Sequence, residues 1–224
     1  MLKREIGPLV RKHGFKGSAP NWRLTGPDGD VALINFQSDD PPRDAVRFVI
    51  NIAIITRPWL DWLESEGRPP GKAPGHGTSG QWSKRVNARP GWLAGTDREG
   101  TSDDRFDMPL DSWWTAWTSE HLAAAMKDAT TQLRDDAIPT LQHLVVRSNL
   151  IDAIEGSIPT SYAPDDDYLT LALLYADDGR VADAEAALAA TEAIERRERG
   201  VLKASPHRAR YRLWIRQRAL QRSP

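Results

Sequence analysis

Along the first quarter of the chain the spacing of apolar positions changes from helical to alternating. Leu2, Ile6, Leu9 and Val10 recur at helical spacing and Gly14 follows as a stop, which predicts a helix over residues 2–13. Residues 15–23 read as extended, with Trp22 and Leu24 ahead of a turn at Gly26-Pro27-Asp28-Gly29. Residues 31–37 give the next strand, with Val31, Leu33 and Asn35 on one face and Ile34 and Phe36 on the other. The turn residues between these two runs predict a hairpin. After Asp39-Asp40-Pro41-Pro42, residues 45–56 are so rich in Val and Ile that the strand is expected to be covered on both faces.

Helical spacing then returns. Pro58 opens a short helix over 59–66 whose Trp59, Trp62 and Leu63 share one side, expected to cover the sheet. Residues 68–80 are glycine- and proline-rich and read as a loop; 81–86 is a further strand, and 106–118 is the last strand or a strand passing into a helix. Ser119 is read as a helix cap, with Glu120 in the first turn and Leu122, Met126, Ala129 and Leu133 on the apolar stripe. Beyond Pro139 short helices follow over 140–147 and 150–155, then a linker over 159–167. A helical hairpin around Gly179 (168–197) and a last helix opened by Pro206 (206–221) complete the chain. The expectation is an α+β domain over 1–155 and a helical C-terminal extension over 156–224. The domain has an N-terminal helix, an antiparallel sheet of four to five strands and helices on one face.

Composition narrows the class. The chain has 224 residues, 40% hydrophobic and 27% charged, and its mean hydropathy is -0.54, values typical of a globular domain. No window reaches the length of a spanning helix, no secretory signal opens the chain, and the expected location is the cytoplasm. The absence of cysteine excludes disulfides, thiol nucleophiles and thiolate metal sites. Formal net charge is only -1, but it is unevenly spread. Residues 196–224 carry ten basic side chains against Glu198 alone, while the preceding stretch holds Asp165, Asp166, Asp167, Asp177, Asp178, Asp183, Glu185, Glu192 and Glu195. That asymmetry predicts either internal pairing of acidic and basic helices or a basic surface for an anionic partner.

Two resemblances follow from these patterns. Leu171-Ala172-Leu173-Leu174-Tyr175, then Gly179, then Ala182, Ala186 and Ala190 resemble one tetratricopeptide-type helical hairpin, the small residues letting the helices approach. A single unit cannot stack into a solenoid, so the hairpin reads as local packing. The second resemblance rests on Gly14-Phe15-Lys16, Trp22, Ile34-Asn35-Phe36-Gln37-Ser38, Phe48-Val49-Ile50-Asn51-Ile52-Ala53-Ile54, Gln81-Trp82-Ser83, Trp113-Trp114 and Ile138-Pro139-Thr140-Leu141. Over about residues 2–150 the chain resembles a bacterial family known as domain of unknown function 4304. That resemblance implies an α+β fold, brings no catalytic residues, and links some members to immunity or defence by genomic company.

Candidate chemistry is sparse. The histidines form neither a helical metal pair nor an HExxH pattern, so no metal and no cofactor are expected. Gly77-Thr78-Ser79-Gly80 is not a nucleophile elbow, Lys72 lacks a phosphate loop, and Asp103, Asp104, Asp107 and Asp111 read as a solvated turn. Asn35, Gln37 and Asn51 are amides within the most apolar strands and must find partners, in a pocket or across strands; the cross-strand reading is preferred. Nine tryptophans are a surplus: Trp22, Trp82, Trp92 and Trp113 are assigned to the core and Trp114, Trp117 and Trp214 to contacts. Arg208, Arg212 and Arg216 on the last helix make a basic face beside Trp214.

Three functions are weighed. The preferred one is a non-enzymatic module that docks a protein partner, because aromatic and arginine surplus characterises interface hot spots. A small-ligand binder or enzyme would use a cleft holding Asn35, Gln37, Asn51 and Trp82 beside the Trp-rich segment, and nucleic-acid binding would use the last helix. Neutral overall charge ranks nucleic acid below a protein partner, and no membrane is expected.

Overall fold

The first helix, α1 (Leu2–Lys12), ends where the glycine stop lies. Gly14 takes φ 86°, which lets Phe15 N donate to Val10 O and Gly14 N to Arg11 O, satisfying carbonyls at the helix end. The structure is a computed structural model and describes residues 2–38, 45–68, 80–86, 88, 113–161, 163–199 and 205–223. Most of the 68–80 loop with His76 and Lys72, the Asp103–Asp111 cluster and Trp92 lie outside them. The chain folds into two compact units, one of Met1–Thr25, Val31–Ile54 and Gly75–Gln142, the other of Gly26–Asp30, Ile55–Pro74 and His143–Pro224.

The first unit holds the sheet. Strands β1 (Lys16–Ser18), β2 (Asn21–Thr25), β3 (Val31–Ser38), β4 (Val46–Ile55) and β5 (Trp82–Val86) lie in sequence order. A sixth strand, β6 (Trp114–Ala116), pairs with Val46–Phe48 at the start of β4, beyond the stretch that β5 occupies. Pairing of β2 with β3 makes the expected hairpin, and β4 is buried from Phe48 onward, as its apolar run requires. One face carries a row of rings: Trp22 meets Phe36 edge-on at 5.8 Å, Phe36 stacks on Phe48 at 6.0 Å, and Phe48 stacks on Trp114 at 5.2 Å.

Trp114, assigned from sequence to a contact surface, is fully buried, and its Nε1 donates to Asp128 on α3 (Ser119–Gln132) at 2.9 Å. Trp113, assigned to the core, is half-buried. The exchange follows from pairing: Phe48 opposite Trp114 fixes which neighbour faces inward, and the next residue must face the other way. The cap of α3 is Thr118 rather than Ser119; its hydroxyl accepts from His121 N. Pro139 does not begin a new segment either. A π-helical turn over Leu133–Ala137 carries α3 into α4 (Ile138–Leu144), so the proline, which would lose its bond and clash in an uninterrupted helix, follows a wider turn.

In the second unit α6 (Pro164–Asp177) is buried continuously from Leu171 to Ala176 and is met by α2 (Arg57–Ser65), α5 (Arg147–Ser157), α7 (Val181–Arg199) and α8 (Pro206–Arg222). Its apolar girth explains the central position. The small residues at the α6–α7 contact are Ala184 and Ala187 with Leu188 and Thr191, whereas Ala182 and Ala186, expected there, are exposed. Trp59 and Trp62 were expected to cover the sheet; their ring partners are on α8. Trp59 meets Tyr211 at 5.3 Å, and Trp62 meets Tyr211 at 5.1 Å and Trp214 at 5.7 Å.

A circuit of charges ties this unit together. Asp30 is fully buried; it accepts from Arg57 N at the start of α2 (2.7 Å) and from Arg147 Nη2 and Nε (2.8 and 3.1 Å). Arg147 also pairs with Asp177, which pairs with Arg218, which pairs with Asp61, which pairs with Arg57. Burial works against the Arg147 cation, yet hydrogen bonds and charges of Asp30 and Asp177 outweigh it and hold its pKa above the usual guanidinium value. Replacing Arg147 with Met leaves Asp30 buried without its counter-charge, so the variant is expected to lose about 3–5 kcal/mol in urea unfolding. A loss below about 1 kcal/mol, the value of an exposed pair, would contradict this role.

Candidate functional site

Strand register gathers three of the sequence candidates. Asn35 lies opposite Asn21 and Asn51 opposite Arg85, so a polar row crosses β2, β3, β4 and β5 on the face away from the rings. Arg85 Nε donates to Asn51 Oδ1 (3.4 Å), Asn51 Nδ2 to Asn35 Oδ1 (3.3 Å), and Asn35 Nδ2 to Asn21 Oδ1 (2.7 Å). Gln37 Oε1 also accepts from Asn51 Nδ2 at 3.0 Å. Because Asn35 and Asn51 are 5% and 2% exposed, these bonds remove the cost of burying them and hold the strands in register. Arg47 and Arg85 lie 5.0 and 5.6 Å from the Trp113 ring. Trp82, half-buried and an odd number of residues from Arg85 on β5, points to the opposite face, so it does not share a pocket wall with the amides. Trp117 is half-buried between β6 and α3.

The arginines of α8 meet carboxylates of the same unit. Arg208 pairs with Asp165, Asp166 and Glu195, Arg212 lies 2.6 Å from Glu195, and Arg216 pairs with Glu185 and Glu192. Arg210, Arg218 and Arg222 are paired as well, with Glu66, Asp61 and Asp177. Six of the ten basic residues of the 196–224 stretch are thus met by carboxylates of the same unit. Arg212 is 6% exposed, and Trp214 is half-buried with Trp62 and the Arg218 guanidinium on its ring.

A groove outside all the sequence candidates runs along α5. Ser148, Ile151 and Asp152 line a cavity of about 320 Å³, and Glu155 on the same helical face, with Ile158 and Pro159 beyond it, lines a second of about 440 Å³. The opposite wall of the larger cavity is Tyr168, Leu171 and Tyr175 from α6 with Asp183, Ala186 and Ala187 from α7. Asp28, Asp178 and Arg180 close the smaller one. Gly179, at φ 72°, directs Arg180 there: Arg180 N donates to Tyr175 O, and a side chain at Gly179 would meet Arg222 O at 2.6 Å. The Arg180 guanidinium lies 4.2 Å from the Tyr175 ring centre and donates to Asp183 at 2.8 Å.

Charge in the groove is held under tension. Burial raises the Asp178 pKa, partly opposed by Arg147. Tyr175 is pushed up to about 12, first by burial and then by the hydrogen bond it donates to Glu155. In the sequence Tyr168 and Tyr175 stand two turns apart on one helix and Asp178 and Asp183 belong to the acidic stretch, but nothing there joins them to Asp28 or to the α5 carboxylates.

Among the described residues no group of three or more metal-ligating side chains is placed to hold a metal ion, and no helix is long and apolar enough to cross a membrane. The model of a protein family described as a domain of unknown function (DUF4304) matches residues 6–143. The chain belongs to that family. Nothing matches it among curated proteins or among solved structures. The match begins inside α1 and spans the sheet, α2, α3 and most of α4, while α5, α6 and α7, which line the groove, lie beyond it.

Two measurements check these assignments. Asn51→Leu removes a buried amide that serves Asn35, Gln37 and Arg85, and should cost about 1–3 kcal/mol in chemical denaturation. In a spectrophotometric titration the Tyr175 phenol should ionise near pH 12, so the stability it contributes is complete below its unfolded value of 10.0 and is lost as pH rises through 12. Glu155→Gln should move that step downward without reaching the unfolded value, because burial remains; an unmoved step would rule out the Glu155 contribution.

Proposed function

We propose that the protein is a non-enzymatic docking module that takes a segment of a partner protein along the α5 groove of its second unit. The observation that carries this reading is a pair of cavities that both take lining residues from one face of α5, Ser148, Ile151 and Asp152 in the smaller and Glu155 in the larger. The rim is exposed at Asp152 in the smaller cavity and at Glu155, Asp183 and Ala186 in the larger, whose floor is buried at Leu171 and Tyr175. Apolar floor and polar rim is the anatomy of a recognition surface. The eleven residues of α5 span about 16 Å at 1.5 Å per residue, enough for three turns of a bound helix or five extended residues.

The other two readings find less support. Arginines of α8 already paired with carboxylates weigh against that helix as a nucleic-acid surface. Amides that satisfy one another across the sheet weigh against a ligand site built on Asn35, Gln37 and Asn51.

Ala186→Trp fills the larger cavity from an exposed position and should leave thermal unfolding within about 0.5 kcal/mol of wild type. A protein that co-purifies stoichiometrically with the wild-type chain should be lost from this variant. Retention of every such partner by a folded Ala186→Trp protein would refute docking in the groove.

A further inference from the structure

We infer that the occupant of the α5 groove is a basic segment of the partner protein, anchored by an arginine or lysine side chain between Tyr168, Tyr175, Glu155 and Asp183. The inference rests on the docking reading above and adds the chemistry of what docks. Five carboxylates line the two cavities (Asp28, Asp152, Glu155, Asp178 and Asp183) against two arginines. One of those, Arg147, is shared among Asp30, Asp177 and, at 3.5 Å, Asp178. The lining is therefore anionic where a partner would touch it.

A second observation points to a cation rather than to negative charge alone. The groove already holds a guanidinium: Arg180 stacks on Tyr175 at 4.2 Å and pairs with Asp183 at 2.8 Å. These are the two contacts that recognise an arginine side chain, an aromatic face and a carboxylate. The Arg180 side chain nevertheless remains 45% exposed, so an incoming cation can share the ring or displace it. Across from it, the Tyr175 hydroxyl donates to Glu155, which fixes an otherwise exposed carboxylate toward the cavity before anything binds. Tyr168 lines the same space, and about 440 Å³ accommodates one long cationic side chain together with part of its neighbours.

The test uses three fluorescein-labelled twelve-residue alanine-based peptides, identical except for three positions occupied by Arg, Gln or Glu. Binding to the full chain is followed by fluorescence anisotropy. The Arg peptide should bind at least about tenfold more tightly than the Gln peptide, and the Glu peptide should not bind. Glu155→Gln with Asp183→Asn should remove that preference, whereas Glu64→Gln, the loss of an exposed charge outside the groove, should leave it unchanged. Arg180→Gln should strengthen binding of the Arg peptide by freeing the Tyr175 face. Equal weakening by Glu64→Gln and Glu155→Gln would mean unspecific attraction and overturn the inference. Equal affinity for the Arg and Gln peptides would also overturn it. If Ala186→Trp still abolishes partner capture in that case, the docking reading stands and only the basic occupant is lost. If Ala186→Trp leaves capture intact, both fall.

Discussion

Arg147 is the contact on which the second unit turns. Its guanidinium satisfies a fully buried Asp30 and reaches Asp177 at the C-terminal end of α6, and Asp30 in turn receives the first N–H of α2. Charges this deep are stable only when each lone pair and each proton is met, because the low dielectric magnifies both attraction and any deficit. Closing the circuit through Arg218, Asp61 and Arg57 meets that condition with side chains from a turn and four helices. Asp177 is followed closely by Asp178 and Arg180, which line the smaller cavity together with Arg147. Structure and candidate function thus share one anchor.

The sheet of the first unit solves a related problem differently. One face packs four aromatic rings in a row, with the single polar atom of Trp114 answered by Asp128. The other carries amides that answer one another from strand to strand. Alternation along each strand makes the two rows inseparable: moving any strand by one residue would turn rings into the amide layer and amides into the rings. Amides at Asn35 and Asn51 therefore specify register more than they add stability.

Local signals in the sequence were legible wherever one residue type does one job. Gly14 and Gly179 end helices because each sits at positive φ, and the Val- and Ile-rich stretch of β4 is buried as its composition implies. Register was less accessible. Trp113 and Trp114 differ by one position, and only pairing with Phe48 decides which enters the core. Ala182 and Ala186 likewise fit the helical period of a packing face, yet α7 turns Ala184 and Ala187 inward because a sequence period does not state its phase. The groove was hidden for another reason: Asp28, the α5 pair Asp152 and Glu155, Asp178 and Asp183 come together only when separate segments converge.

By itself the sequence determined the class of fold, the hairpin, the order of the helices and the balance of acidic and basic segments, since these depend on neighbours a few residues apart. Tertiary structure alone decided which carboxylates the arginines of α8 meet, that Trp59 and Trp62 pack on α8, and that Arg180 lies on Tyr175. Each of these is set by the distance between groups remote in the chain, and the strength of a charge or ring contact is a function of that distance and of burial.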